Sequence, residues 1–350
     1  MNDKDSQTIV DLPELDDTQS PEQSHSGAEA EYVEKRAPFP DRVNAIWRQF
    51  GMLVVLAVMC VILSVIAPNF FTSGNFINIA RQVSINGILA AGMTFVILTG
   101  GIDLSVGSLL AVTGVLSVWL AIHNVNSVLA VAGAVMIGGV LGCVNGTLIS
   151  RVKLQPFIVT LGGLTYLRGL AYIITGAYPL IKTDLGFGFL GSGSVGFIPW
   201  PVIIAVCIFA VSHFLLKRTV FGMHIYAIGG NEQAARLSGI NVKRTLTWAY
   251  TICGMYAGIA GVIYSARLQS GQPQGGQGYE LDAISAVILG GASLSGGMGS
   301  VVGTLIGALI IGVLDNGLVL MNVPFFYQLV IKGGVIIAAV LLDRGRNARS

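Results

Sequence analysis

A chain of 350 residues with 53% hydrophobic and only 11% charged residues, 46 glycines and a mean hydropathy of +0.73 is too apolar for a soluble domain, where charged residues approach a quarter. Composition thus excludes a soluble enzyme and points to an all-α, polytopic membrane protein. The net charge of +2 hides a division: residues 1–34 hold ten of the eighteen acidic side chains and only Lys4 among the bases, which leaves 19 basic and 8 acidic side chains to the other 316 residues.

Residues 1–45 open the chain as an acidic segment rich in Asp, Glu, Ser, Gln and Pro. Without an apolar run it cannot offset its ordering entropy, so a disordered cytoplasmic tail is expected. A basic start followed by a short apolar core is absent, which argues against a signal peptide. The apolar, membrane-spanning body is expected over 46–343, with a short C-terminal tail at 344–350. A bilayer core takes about 20 apolar residues per helix, and polar breaks divide the body into ten spans, at about 50–67, 79–99, 104–122, 127–149, 156–175, 198–216, 246–266, 280–295, 301–320 and 324–342. The second is the weakest, because Arg81 and Asn86 sit near its start. The strongest breaks are Pro68-Asn69, "TDLGFGFLGSGSVGF" and "LQSGQPQGGQG".

Lys and Arg in short loops orient such a protein. With the N-terminus inside, the cytoplasmic segments collect fourteen basic residues between Lys35 and Arg349, among them Arg151, Lys153, Lys243 and Arg244. The outer side keeps Lys182, with Arg81 and Arg267 near outer helix ends. An even number of spans places both termini in the cytoplasm. Within this frame "ILTGGIDLSVGS" (97–108) echoes "ILGGASLSGGMGS" (288–300), matching Gly100, Gly101, Leu104, Ser105 and Gly107 to Gly290, Gly291, Leu294, Ser295 and Gly297, with the same orientation for both copies. A second echo, Asn145-Gly146 and Asn316-Gly317, falls on opposite sides and is set aside.

The four histidines, His25, His123, His213 and His224, are scattered with no ligand or triad spacing. Cys60, Cys143, Cys207 and Cys253 lie in apolar runs, which predicts buried free thiols. A GxxxxGK[ST] phosphate loop is absent, so this chain does not hydrolyse ATP in that manner. Charges inside spans are expensive and mark pathways or buried partners. Asp103, Arg168, Glu280, Asp282, Asp315 and Lys332 qualify, and a paired structural role stands open for Arg168, Asp315 and Lys332. Asp103 and Ser105 lie in "GGIDLSVG", where a broken helix can line a cavity. Together with Glu280, Asp282 and the echoed Ser295 they are the translocation-pathway candidates. Gly258 with Val262, and Gly303 with Gly307, suit close helix packing.

The polar stretch "AIGGNEQAARLSGINVKR" (227–244) predicts a short cytoplasmic helix at Glu232 to Ser238, with Asn231 as N-cap and Gly239 closing it. Ala234, Ala235, Leu237 and Ile240 offer small, apolar surface. On its residues alone this is either an ordinary loop helix or one suited to a groove on a cytoplasmic partner.

"ILTGGIDLSVGSLLAVTG", "GGNEQAARLSGINV" and "GYELDAISAVILGGASLSGGMGSVVGTLIGALI" together resemble the permease subunit of ribose-type bacterial ABC sugar importers, over about Phe50 to Asp343. The resemblance implies an inner-membrane subunit that pairs with a second copy, receives sugar from an extracytoplasmic binding protein, and contacts a separate ATPase subunit. ATP and Mg would be used by that ATPase; no cofactor on this chain, no metal site and no nucleic acid is implied. It further implies that Gly229, Gly230, Asn231, Glu232, Ala234, Ala235, Arg236, Leu237 and Gly239 form the ATPase-coupling segment. The sequence departs from the pattern at Gln233 and in its long acidic tail. The cargo stays open between ribose and another small polyol or furanose signal, such as inositol. The alternative class is an ATP-independent secondary transporter that couples to an ion through Asp103 or Asp282.

Overall fold

A computed structural model describes residues 39–347. The chain divides into two units, Met1–Asn44 and Ala45–Ser350. Apart from the first residues of α1, everything below lies in the second. The tail expected over 1–45 falls outside the described residues as far as residue 38, and so do the last three residues of the expected 344–350 segment.

The helices are α1 (Phe39–Ile66), α2 (Ser73–Leu98), α3 (Val106–Ile122), α4 (Ser127–Ser150), α5 (Pro156–Thr175), α6 (Phe189–Ser192), α7 (Trp200–Arg218), α8 (Val220–Gly230), α9 (Glu232–Leu237), α10 (Val242–Leu268), α11 (Tyr279–Leu289), α12 (Val301–Leu320) and α13 (Phe325–Asn347). Each of the ten apolar segments coincides with one of them. Six of the described helices, α2, α4, α5, α7, α10 and α12, are long and apolar enough to cross a membrane. Ten is therefore an approximate helix count. The main departure is α11, which stops at Leu289 instead of about 295, because Gly290 and the left-handed Gly291 (φ 84) turn the chain. Local signals set other ends: Pro156 opens α5 and left-handed Gly176 (φ 62) closes it, while Asn126 and Ser300 cap α4 and α12.

Glycine decides the packing. Gly138 and Gly142 of α4 lie directly against Gly254, Gly258 and the Tyr250 carbonyl of α10, so a side chain at either would overlap backbone. Gly114 and Gly261 join α3 to α10 in the same way, and Gly303 and Gly307 seat α12 on Gly290 and Ala286 of α11. In lipid, where apolar side chains gain little by leaving their surroundings, such close backbone contact supplies the dispersion energy that holds helices together. Small polar pairs add to it. Asn75 and Asn316 exchange two amide hydrogen bonds of 2.9 and 2.8 Å between α2 and α12, and the Thr94 and Thr304 hydroxyls meet at 2.8 Å.

The span that looked weakest, α2, is the innermost: 89% of its most apolar window is buried, against 28% for α4 and α5. Hydropathy measures suitability for lipid, and α2 is solvated by protein. Arg81 donates to the Ser192 carbonyl at 3.2 Å, and Asn86 is buried. At the end opposite α9, the two glycine-rich loops are tied together. β1 (Leu180–Ile181) pairs antiparallel with β4 (Ser270–Gly271), and β2 (Ser194–Val195) pairs with β3 (Ile198–Pro199). The four cysteines are free, but only Cys253 is buried. Cys207 is exposed on α7 and the other two are half-buried, since an apolar run in a lipid-facing helix need not face the protein interior.

Candidate functional site

The polar stretch folds as a capped helix. Asn231 takes an extended conformation, which frees its Oδ1 to accept a 3.0 Å hydrogen bond from the Ala234 amide. α9 then runs from Glu232 to Leu237, one residue shorter than the sequence predicts, and Gly239 (φ 81) reverses the chain. The apolar surface is distributed differently from expectation. Ala235 is buried against Ile228 and Val242, and Ile240 packs at the edge of that cluster, so both are anchors. What α9 presents outward is Leu237, 89% exposed, and a 2.6 Å Arg236–Glu232 ion pair whose side chains are half in solvent.

Beneath α9, the two echoed glycine segments meet. The Gly297 amide donates to the Leu98 carbonyl at 2.9 Å, joining the α11–α12 turn to the end of α2. Gly229 rests on that junction: a Cβ there would overlap both the Leu98 oxygen and the Gly297 nitrogen, whereas a Cβ on Gly230 meets open space. Tyr226 fastens α8 to the same turn by donating from its hydroxyl to the Gly299 carbonyl at 2.9 Å. Ser295 is exposed on this turn, its amide turned toward Ser293 Oγ at 3.3 Å. The conformation suits glycine because Gly291, Gly296, Gly297 and Gly299 all have positive φ.

The α2–α3 break carries Asp103 and Ser105, both fully buried. Asp103 Oδ1 accepts from the Ser105 amide at 2.9 Å and from its hydroxyl at 2.5 Å, and Ser105 Oγ accepts from Asn145 Nδ2 at 3.0 Å. Asp103 Oδ2 is buried without a hydrogen-bond partner. Tyr250, donating to the Ile102 carbonyl at 3.4 Å, closes the break on one side. A cleft of ≈ 430 Å³ runs from Gly100, Gly101 and Tyr250 to Lys153, Glu232 and Arg236, so it touches both the break and α9.

At the start of α11, Glu280 Oε1 accepts from the Gly278 amide at 3.2 Å, and its Oε2 is buried and unpartnered against Gly107 in the first turn of α3. Two broken-helix starts therefore meet here. Arg168 on α5 holds the preceding loop by donating to the Pro273 and Gly275 carbonyls at 2.8 and 2.7 Å. Asp282 is not part of this group. It pairs at 3.1 Å with Lys332, which also reaches Asp315 at 3.0 Å, tying α11, α12 and α13 together. The structure thus brings Asp103 and Ser105 together, sets Glu280 against Gly107, pairs Asp282 with Lys332, and places the Ser295 backbone carbonyl against Gly100 of the α2–α3 break. Tyr226 and Tyr250 carry no signal in the sequence, and Asn145 enters it only through the Asn-Gly echo that was set aside, although an amide near the end of an apolar span was itself a signal. Among the described residues, no three His, Cys, Asp or Glu side chains come together as a metal site requires.

Residues 75–340 match the family described as branched-chain amino acid transport system / permease component. The ribose import permease protein RbsC of Escherichia coli (strain K12) is 48% identical over 300 residues, covering 84% of this chain and 93% of that relative. The protein of the same name from Bacillus subtilis (strain 168) is 48% identical over 307 residues, covering 87% and 95%. The D-allose transport system permease protein AlsC of Escherichia coli (strain K12) is 40% identical over 307 residues, covering 87% and 94%. No solved structure matches.

Proposed function

The chain belongs to the branched-chain amino acid transport system / permease component family, as a multi-pass membrane permease subunit of an ATP-binding-cassette sugar importer, and we propose that its cargo is ribose. The observation that carries this choice is the 48% identity to ribose import permeases over nearly their whole length, against 40% to the D-allose permease. D-Allose is the second cargo on the same ground.

In this reading the permease acts as a homodimer, with both termini and α9 on the cytoplasmic side. A separate ATPase subunit hydrolyses ATP with Mg, and an extracytoplasmic binding protein delivers the sugar to the opposite end. The segment from Gly229 to Gly239 is the coupling element. Leu237 enters a groove on the ATPase, with Glu232 and Arg236 at its rim. Because Gly229 bears on the junction of the α2–α3 and α11–α12 breaks, a displacement of α9 reaches both at once. Those breaks hold Asp103 and Ser105 and adjoin Glu280, and the unpartnered oxygens Asp103 Oδ2 and Glu280 Oε2 are acceptors suited to sugar hydroxyls. The sugar path runs past these three, with Ser295 at its α9 end and Asp282 in its wall, held by Lys332. Switching between outward- and inward-facing cavities then follows the ATPase cycle.

The test is uptake of radiolabelled sugars in cells that lack their own ribose permease but keep its binding protein and ATPase. Restored ribose uptake, undiminished by excess allose or arabinose, supports the reading. Restoration of allose but not ribose uptake overturns the choice of cargo.

A further inference from the structure

The α9 end of α10 carries a second feature that sugar transport does not use. Two clefts, of ≈ 540 and ≈ 560 Å³, flank this helix and share Asn241, Arg244 and Trp248. The first opens at Arg151 and Lys243 and runs to Cys143 on α4 and Thr251 on α10. Each of those lies eight residues from the basic mouth, about 12 Å along a helix at 1.5 Å per residue. The second opens at Thr219 and His224 and is floored by Leu215, Phe221 and Ile252. No acidic side chain lines either cleft, and among the described residues Arg151, Lys243 and Arg244 enter no ion pair. Trp248, between the clefts, is 50% exposed, and Val140, Val144 and Met255 continue outward as an exposed apolar surface.

We propose that this is a binding site for an anionic glycerophospholipid, its phosphate held by Arg151, Lys243 and Arg244 and its acyl chains in the two clefts beside Trp248. A cationic mouth over apolar slots that run two helical turns into the membrane-spanning region matches a phospholipid at both ends. A soluble protein partner could neutralise the mouth but could not follow the clefts along spanning helices. The chain's own acidic segment, residues 1–34, has the charge but no apolar run to fill the slots. A sugar would gain nothing from the floors.

The test uses full-length permease with Trp47, Trp119 and Trp200 changed to Phe, so that fluorescence reports on Trp248 alone. The protein is placed in phosphatidylcholine vesicles containing phosphatidylglycerol or phosphatidylcholine with brominated chains, which quench tryptophan on contact. Phosphatidylglycerol should bind on the order of 100-fold more tightly, about fivefold per basic residue. The preference should fall to near unity in R151Q/K243Q/R244Q, and millimolar glycerophosphate should not displace the lipid. Native mass spectrometry of the wild-type protein, counting retained phosphatidylglycerol against the triple variant, gives the same answer if the single-tryptophan protein does not fold. Equal quenching by both lipids, or an unchanged preference in the triple variant, overturns the proposal. So does displacement by glycerophosphate, by the docked ATPase, or binding that appears only after residues 1–34 are deleted.

Discussion

Gly229 and Gly230 are adjacent, yet one methyl group should have opposite consequences at the two positions. In Gly229→Ala the new Cβ would collide with the Leu98 oxygen and the Gly297 nitrogen, both backbone atoms fixed by their own 2.9 Å hydrogen bond. Neither can rotate aside as a side chain could. Overpacking of this kind costs about 1–3 kcal/mol, and opening the Gly297–Leu98 bond adds about 1 kcal/mol, giving a loss of roughly 2–4 kcal/mol. Gly230→Ala meets nothing and should stay within about 0.5 kcal/mol of wild type. Gly239→Ala is intermediate: its Cβ has room, but a left-handed φ of 81 costs a β-carbon about 1–2 kcal/mol. The assay is thermal unfolding of the detergent-solubilised permease, paired with the ratio of ribose transported to ATP hydrolysed in the assembled importer. Gly229→Ala should lower both, and Gly230→Ala neither. Wild-type behaviour of Gly229→Ala in both measurements would refute the claim that α8 and α9 bear on the glycine junction.

Leu237→Ala should weaken ATPase co-purification about tenfold, since an anchor of this size contributes about 1.5 kcal/mol on burial, while Glu232→Ala and Arg236→Ala leave the stability of the isolated permease, read by thermal unfolding, within about 0.5 kcal/mol of wild type. Lys332→Met strands two buried carboxylates beside each other and should cost about 3–5 kcal/mol; the triple variant D282N/D315N/K332M, read by the same melting assay, should recover most of that. Asp103→Asn keeps an acceptor for both Ser105 bonds, so membrane insertion should persist while ribose uptake falls, and unchanged uptake would return Asp103 to a structural role. Asn75→Ala and Asn316→Ala should each cost about 1–3 kcal/mol by orphaning the other amide, with the double variant losing clearly less than their sum.

Much of the helical plan was legible because lipid solvation imposes it: apolar length, polar breaks and the cap at Asn231 are local properties. Hydropathy failed where solvation by protein replaces solvation by lipid. It ranked α2 weakest for Arg81 and Asn86, yet α2 is the span most fully enclosed. It also extended α11 past Leu289, because "GGASLSG" is neither charged nor strongly polar and only its positive φ angles end the helix. The glycine echo was visible as a repeat, but its meaning was not, since the Gly297–Leu98 contact runs through backbone atoms that no side-chain pattern reports. The discounted Asn-Gly pairs show the same gap: Asn145 supports Ser105 and Asn316 pairs with Asn75, partners 40 and 241 residues away. Sequence placed Asp282 beside Asp103 as an intramembrane acid, and only the fold distinguishes one paired with Lys332 from one whose Oδ2 has no partner.

The most direct test is reconstitution of the purified permease in liposomes with its ATPase inside and its binding protein outside, followed by radiolabelled ribose. Accumulation above the external concentration that requires internal ATP and external binding protein, and that Gly229→Ala uncouples from hydrolysis, is the predicted result. Accumulation by the permease alone, driven by a proton or sodium gradient without ATP, would contradict it.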